Sequence, residues 1–441
     1  MEQKPTTFFM RKKISLLLLL CTCPLLLWAQ PIVRWDFYHE GNWEQEKIRS
    51  VGFFLESAPA YSFPAIKEGG SHQFQLLNQS GDTLYSSQLS TLWTDFLTTP
   101  GAKDSTASFQ ASLRFPKLPT AYAVRLLSRV SGEYQLVAQM PISSIKALPC
   151  PALDYKELNP ALAADAPLCI LLIGVDYDTG AQRQFELKAR ALSDALLSTP
   201  PFKEHRQQIS LKAINLKKNS ADLRLQSNIF GADRYALTLA LHRLNQELSS
   251  VQHHYKVVLW NRTAYLGGGI YQQVATVGAE NEYAEVIFIH ELGHLLSDLA
   301  DEYYPLQAES APINPFFLSW APNVGDDLEA LPWKTEVNIE IPSPWNKIPY
   351  EAFLLEQEER MQQANIQSGK DWEEFLEQEN LKLEALLYRP NWPMEVGAFE
   401  GAGHQYQGFF RPQIDCKMFG YRQVPFCKVC LAALQKTIQL Y

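Results

Sequence analysis

The sequence predicts two domains, an all-β sandwich followed by an α/β domain organised around one buried helix. Three observations lead there. Residues 30–146 carry short alternating strands separated by turn residues. From Leu168 onward the pattern changes to strand, helix, strand, helix, strand. Val286 to Pro305 then reads VIFIHELGHLLSDLADEYYP, apolar nearly all round a helix and interrupted by His290, Glu291 and His294.

The chain has 441 residues, more than one typical domain, and 46% of them are hydrophobic, enough for sizeable cores. Residues 1–29 read as a secretory signal peptide: Arg11, Lys12 and Lys13 precede an apolar run from Ile14 to Trp28, too short for a confident membrane span. Leu27-Trp28-Ala29 is the expected cleavage site. A lipoprotein alternative at Cys21 or Cys23 fits less well, because the apolar run continues past both. The product is then expected in the periplasm, at the cell surface or in the medium, with no membrane span in the mature chain. Losing residues 1–29 takes four basic residues and one acidic residue from totals of 39 and 48, leaving 35 against 47, a net charge of −12. That balance excludes a basic nucleic-acid or anionic-membrane binder.

In the first domain, residues 30–146, Val33, Trp35 and Phe37 alternate. Phe74 and Leu76 lead into the turn Asn78-Gln-Ser-Gly-Asp82, and Tyr122, Val124 and Leu126 alternate again. No His, Cys or carboxylate cluster with metal or catalytic spacing is evident there, so it reads as a supporting or binding module. Pro141 to Pro167, rich in Pro and Ala, reads as the connection. In the second domain, residues 147–441, Leu168–Val175 is a continuous apolar run, as expected of a strand covered on both faces. Helices are expected over 185–197 and 234–248, and strands over 209–214 and 257–260. Asn261 to Gly269 reads as turn chemistry, with a short edge strand over 272–277. Such a strand could add an extended peptide through main-chain bonds, or be an ordinary hairpin. Residues 346–389, rich in Glu, Leu and Gln, read as a helical insertion.

The chemistry gathers on the helix. Histidines at i and i+4 lie on one face and can hold a metal, with the intervening glutamate as general base. Burying two imidazoles and a carboxylate without partners would be costly; one zinc ion per chain, with water at its open position, would supply them. Glu302 is the favoured third ligand and Asp301 the runner-up. Asp298 qualifies only if the helix continues. Five cysteines remain after Ala29, with Cys427-x-x-Cys430 as half a zinc knuckle and a Cys416 disulfide to one of that pair preferred.

His290-Glu-Leu-Gly-His294 followed by Leu299-Ala-Asp-Glu-Tyr303 resembles the IgA-peptidase family of zinc metallopeptidases, in the zincin clan with metzincin-like features. Cys169-Ile-Leu-Leu-Ile-Gly174, Asp233-Arg-Tyr235, Pro322-Asn-Val324, Val396 to Gly403, Cys416-Lys-Met418 and Phe426-Cys-Lys-Val-Cys430 extend the resemblance. The first domain is similar to the β-sandwich that precedes the peptidase domain in many members. The resemblance implies a secreted zinc endopeptidase that hydrolyses protein or peptide substrates by metal-activated water. It implies His290, His294 and Glu302 as ligands, Glu291 as base and Met418 as a Met-turn floor. His404 stands where the family pattern has tyrosine; His404 and Tyr421 are the candidates for oxyanion or substrate contact. The segment 346–389 is longer than the family pattern. The alternative is a catalytically inactive extracellular binding protein that keeps the fold.

Overall fold

The computed structural model describes residues 29–441 except 131, 148–151, 162–166, 305–319, 365–369, 389–393 and 421. The expected signal peptide (except Ala29), Cys150 and Tyr421 thus lie outside the described residues. Among the described residues no helix is long and apolar enough to cross a membrane.

The first part of the chain forms strands β1 (Ile32–Gly41), β2 (Glu46–Leu55), β3 (His72–Leu77) and β4 (Thr83–Leu89), the short helix α1 (Leu92–Phe96), and strands β5 (Ala107–Pro116), β6 (Ala123–Val130), β7 (Glu133–Pro141) and β8 (Ile145–Ala147). They make two four-stranded sheets, ordered β5-β1-β2-β8 and β4-β3-β6-β7. The alternating residues of β1 decide the packing: Val33, Trp35 and Phe37 are buried against Phe74 and Leu76 of β3 and Leu126 of β6, so the two sheets share one core.

The segment between the two parts is not a bare linker. Its residues 145–147 add β8 to one sheet, and β9 (Lys156–Asn159) borders the next. That sheet comprises β10 (Leu168–Val175), β11 (Ile209–Asn215), β14 (Tyr255–Trp260), β15 (Gly267–Ile270) and β16 (Val274–Gly278), in the order β15-β16-β14-β10-β11-β9. Strands β10, β11, β14 and β16 run parallel, with antiparallel β15 and β9 at the edges. The unbroken apolar run of β10 has a direct cause. Leu168, Ile170 and Leu172 enter the core under α2 (Gln182–Leu196) and α4 (Ala284–Ser297), while Leu171, Ile173 and Val175 enter the opposite core with α3 (Leu241–Glu247).

Two expectations change here. The helix expected over 234–248 begins only at Leu241, because residues 234–236 pair elsewhere: the Ala236 amide donates to Gly267 O at 2.9 Å, and the Gly267 amide to Arg234 O at 3.0 Å. A minimal ladder of β12 (Leu225–Gln226) and β13 (Leu237–Thr238) occupies part of that stretch. The glycine run read as a turn is itself the edge strand β15, and the strand expected over 272–277 is β16, one position inside it.

The last part adds α5 (Lys347–Ala364) and α6 (Lys370–Leu387), a hairpin tied by Arg360 to Glu379, then the ribbon β17 (Phe399–Ala402) and β18 (Gln405–Arg411), and α7 (Lys428–Ile438). Helix α7 packs on α4, where Ser297 Oγ and Thr437 Oγ1 lie 2.8 Å apart.

Candidate metal centre and active-site cleft

The helix α4 ends at Asp298, whose φ of 52° is left-handed, and the Asp298 and Leu299 amides bond back to the His294 and Gly293 carbonyls. The chain then runs extended. Glu302 N donates to Met418 O at 2.8 Å, Gly403 N to Asp301 O at 2.8 Å, and His404 N to Tyr303 O at 3.1 Å. In extended chain, successive side chains point to opposite sides. Asp301 therefore faces the histidines and Glu302 faces away, into a pocket of cysteines. The favoured third position, Glu302, is not brought to His290 and His294; the runner-up Asp301 is.

His290 Nδ1 lies 3.0 Å from Lys417 O, and His294 Nδ1 lies 2.5 Å from Leu299 O. A carbonyl only accepts, so both rings donate through Nδ1 and turn the Nε2 lone pair inward. The two Nε2 atoms face each other at 3.1 Å, with Asp301 Oδ1 at 3.0 Å from one and 3.4 Å from the other. Lone pairs so opposed are relieved by a proton on one ring or by a metal ion between them. Ligands placed about 2.0–2.1 Å from a tetrahedral zinc would stand about 3.3 Å apart, so the three donors fit that ion. The surrounding carboxylates favour positive charge at this point. Burial works against a charge on His294, yet Asp301 and Glu291 carry its pKa up to about 10. Burial would raise the Asp301 carboxyl, but the three histidines around it hold it well below the usual range.

Glu291 lies on the same helix, 6% exposed, and burial raises its pKa against the pull of His290 and His294. Its carboxylate rests on the glycine strand. A Cβ at Gly267 would come within 2.3 Å of Glu291 Oε1, and one at Gly269 within 3.1 Å of the His294 Cβ. The outward backbone groups of Gly267 are taken by Arg234 and Ala236. The next outward residue is Gly269, and among the described residues no backbone group bonds to it on that edge. Gly293 is required from below: a Cβ there would stand 2.9 Å from Met418 Sδ, so Met418 lies directly under the motif.

Asp298 is committed elsewhere. It accepts from Gly70 N at 2.7 Å and from Ser90 Oγ at 3.3 Å, both in the first part of the chain. His404, also left-handed at φ 60°, puts Nε2 3.2 Å from Asp301 Oδ2 and its ring edge-on to Tyr303. Asn323, fully buried, accepts from Ala300 N and donates to Ala300 O and Glu302 Oε1, at 2.8–2.9 Å.

These groups open into a cleft of about 830 Å³. One wall comes from the first part of the chain, including Thr94 and Asp95. Asp95 accepts a hydrogen bond from Tyr235, and burial raises its pKa to about 6. Sequence reasoning missed this wall and Asn323, whose only signal was its place in Pro322-Asn-Val324. It also missed a buried group in the first part, where both His39 Nε2 and His72 Nε2 bond Glu46, at 3.0 and 2.7 Å. The Nδ1 atoms of those rings are bonded to Thr91 and Ser71, so the cluster is internally satisfied.

Residues 158–438 match the profile of the IgA peptidase M64 family, which makes the chain a peptidase acting on protein or peptide. The chain belongs to that family. A comparison with curated proteins finds no match.

Proposed function

We propose that the chain is an exported zinc endopeptidase in which His290, His294 and Asp301 hold the metal and Glu291 is the general base. The division is a β-sandwich over 30–146 and a zincin-type, metzincin-like domain over 147–441, with 1–29 as its export signal. One observation carries the reading: two inward Nε2 lone pairs and a carboxylate converge beside a buried glutamate at a glycine edge strand. Asp301 replaces Glu302 as third ligand because the chain is extended where the two diverge.

When bound, zinc supplies Lewis acidity, polarising a carbonyl and acidifying water. Glu291, its proton affinity raised by burial, takes the proton of the attacking water and passes it to the leaving amine. The free edge at Gly269 aligns an extended substrate by main-chain bonds. Met418 closes the floor beneath Gly293. His404 holds the second oxygen of Asp301 and faces the cleft, where it can also meet the oxyanion.

The test is Glu291→Gln in the full chain. It should abolish peptide hydrolysis, by at least about 100-fold as expected for loss of a general base, and keep its active-site zinc. Undiminished cleavage of a peptide library by that variant would remove Glu291 from the mechanism. Asp301→Ala should lower zinc occupancy at this centre, and full occupancy there would return the third position to another residue.

A further inference from the structure

The cysteine pocket that receives Glu302 is a second, separate cluster. Cys416, Cys427, Cys430 and Glu302 are all at most 2% exposed, and their ligand atoms lie within 4.8 Å of one another. Cys416 Sγ and Cys430 Sγ are 3.8 Å apart. That is far beyond a disulfide bond of about 2.05 Å, so the disulfide expected from Cys416 is not formed in this structure, and the four described cysteines are free. Glu302 Oε1 stands 3.2 Å from Cys430 Sγ and 3.8 Å from Cys427 Sγ. Glu302 Oε2 is buried without a hydrogen-bond partner.

These separations have a simple geometric meaning. Sulfurs about 2.3 Å from a tetrahedral zinc stand about 3.8 Å apart, and a carboxylate oxygen at about 2.0 Å stands about 3.5 Å from each of them. The sulfur pair matches the first figure, and the two oxygen–sulfur distances bracket the second. The backbone prepares the sulfurs for negative charge. Cys427 N points at Cys416 Sγ at 3.1 Å, and Cys430 N at Cys427 Sγ at 3.4 Å. Cys427 and Cys430 also open helix α7, whose N-terminus favours thiolate. A buried carboxylate with one orphan oxygen, placed among three thiols, is costly unless a cation joins them.

We propose that Glu302, Cys416, Cys427 and Cys430 form a closed structural zinc site, distinct from the catalytic centre. Four protein ligands leave no position for water, as in structural rather than catalytic zinc. The position explains its use. Glu302 follows the catalytic ligand Asp301. Cys416 precedes Lys417, whose carbonyl orients His290, and Met418, which underlies Gly293. One ion would therefore pin two segments beside the catalytic centre, Asp301–Glu302 and Cys416–Met418, to the start of α7.

The full chain carrying His290→Ala and His294→Ala separates the two sites. Metal analysis should find two zinc ions in the parent and one in this double variant. With Co²⁺ in place of zinc, the double variant should show thiolate-to-cobalt charge-transfer absorption, and adding Cys430→Ser should remove it. A folded double variant holding no zinc would overturn the proposal. Because Cys430→Ser can itself prevent folding, the parent gives an independent readout. Under native conditions Cys416, Cys427 and Cys430 should resist alkylation, and chelation in denaturant without reductant should release all three thiols. Peptides joined by a disulfide between any two of them would overturn the proposal equally.

Discussion

His290 and His294 are each fixed through a backbone carbonyl, of Lys417 and of Leu299, and Asn323 shows how much of the neighbouring turn depends on one side chain. Its side chain bonds both backbone groups of Ala300 and one oxygen of Glu302, in full burial. Asn323→Ala would leave a buried amide, a carbonyl and a carboxylate oxygen short of partners. At about 1–3 kcal/mol for each of the two Ala300 groups, with Glu302 Oε1 keeping Cys430 Sγ at 3.2 Å, denaturant unfolding should show a loss of about 2–6 kcal/mol. Because the same turn aims Asp301, zinc affinity at the catalytic centre should fall together with stability. A variant with parent-like stability would show that the turn is held by something other than Asn323. At this scale the sequence was legible only in part. His290, Glu291 and His294 declare themselves by helical spacing. That Asp301 rather than Glu302 lies beside the histidines follows from the helix stopping at a left-handed Asp298 and the backbone bonds made beyond it. No spacing rule carries that information.

Among the elements, the glycine strand β15 is the misreading that bears most on the site. Strands are recognised by alternating side chains, and Gly267-Gly-Gly269 has none to alternate. Its lack of Cβ atoms is what the site uses, since the strand lies directly against Glu291 and His294. Gly267→Ala would place a methyl group 2.3 Å from Glu291 Oε1 and 2.7 Å from Ile287 Cγ2. The Glu291 carboxylate must then move. Steady-state assays on a peptide substrate should show turnover slowed by about tenfold or more, a part of the roughly 100-fold or greater contribution of a general base, with zinc content unchanged. Unaltered turnover would mean that the carboxylate position is not critical. The long helices and β10 were legible because burial on one or two faces writes a period into the sequence. The Cys427-x-x-Cys430 half-site was legible too. Its partner Glu302 lies 125 positions away from Cys427, and only folding brings it near.

At the scale of the whole molecule, the two four-stranded sheets of the first part are tied to the part that carries the motif helix. Gly70 and Ser90 hold Asp298 at the end of the motif helix. Gln273 makes two hydrogen bonds to the backbone of Ser112, as a neighbouring strand would. Arg114 pairs with Glu56 at 2.8 Å through two nitrogens and reaches His253 O at 2.9 Å. His254 completes this seam. It accepts from Cys169 N at 2.9 Å through Nδ1, so its Nε2 carries the hydrogen and donates to Ser62 O at 2.8 Å. Both nitrogens are thus used by the neutral ring. Burial, with Arg114 and Lys212 nearby, lowers its pKa from 6.5 to about 3 despite the Ser62 bond. The folded pKa lies below the unfolded one, so the unfolded chain binds the extra proton. Stability from this group is present above about pH 6.5 and is lost as pH falls towards 3, at up to about 1.4 kcal/mol per pH unit. His254→Gln keeps a donor for Ser62 and removes the titration. At pH 7.5 the variant should be less stable by about 1 kcal/mol, the worth of the bond lost from Cys169 N. As pH falls through 6 to 4 the gap should close and then reverse. Carboxyls of raised pKa, such as Asp95 at about 6, act in the opposite direction but equally in both proteins, so they cancel in the comparison. Parallel stability profiles across that range, measured by denaturant unfolding, would show that the seam histidine does not carry the acid sensitivity.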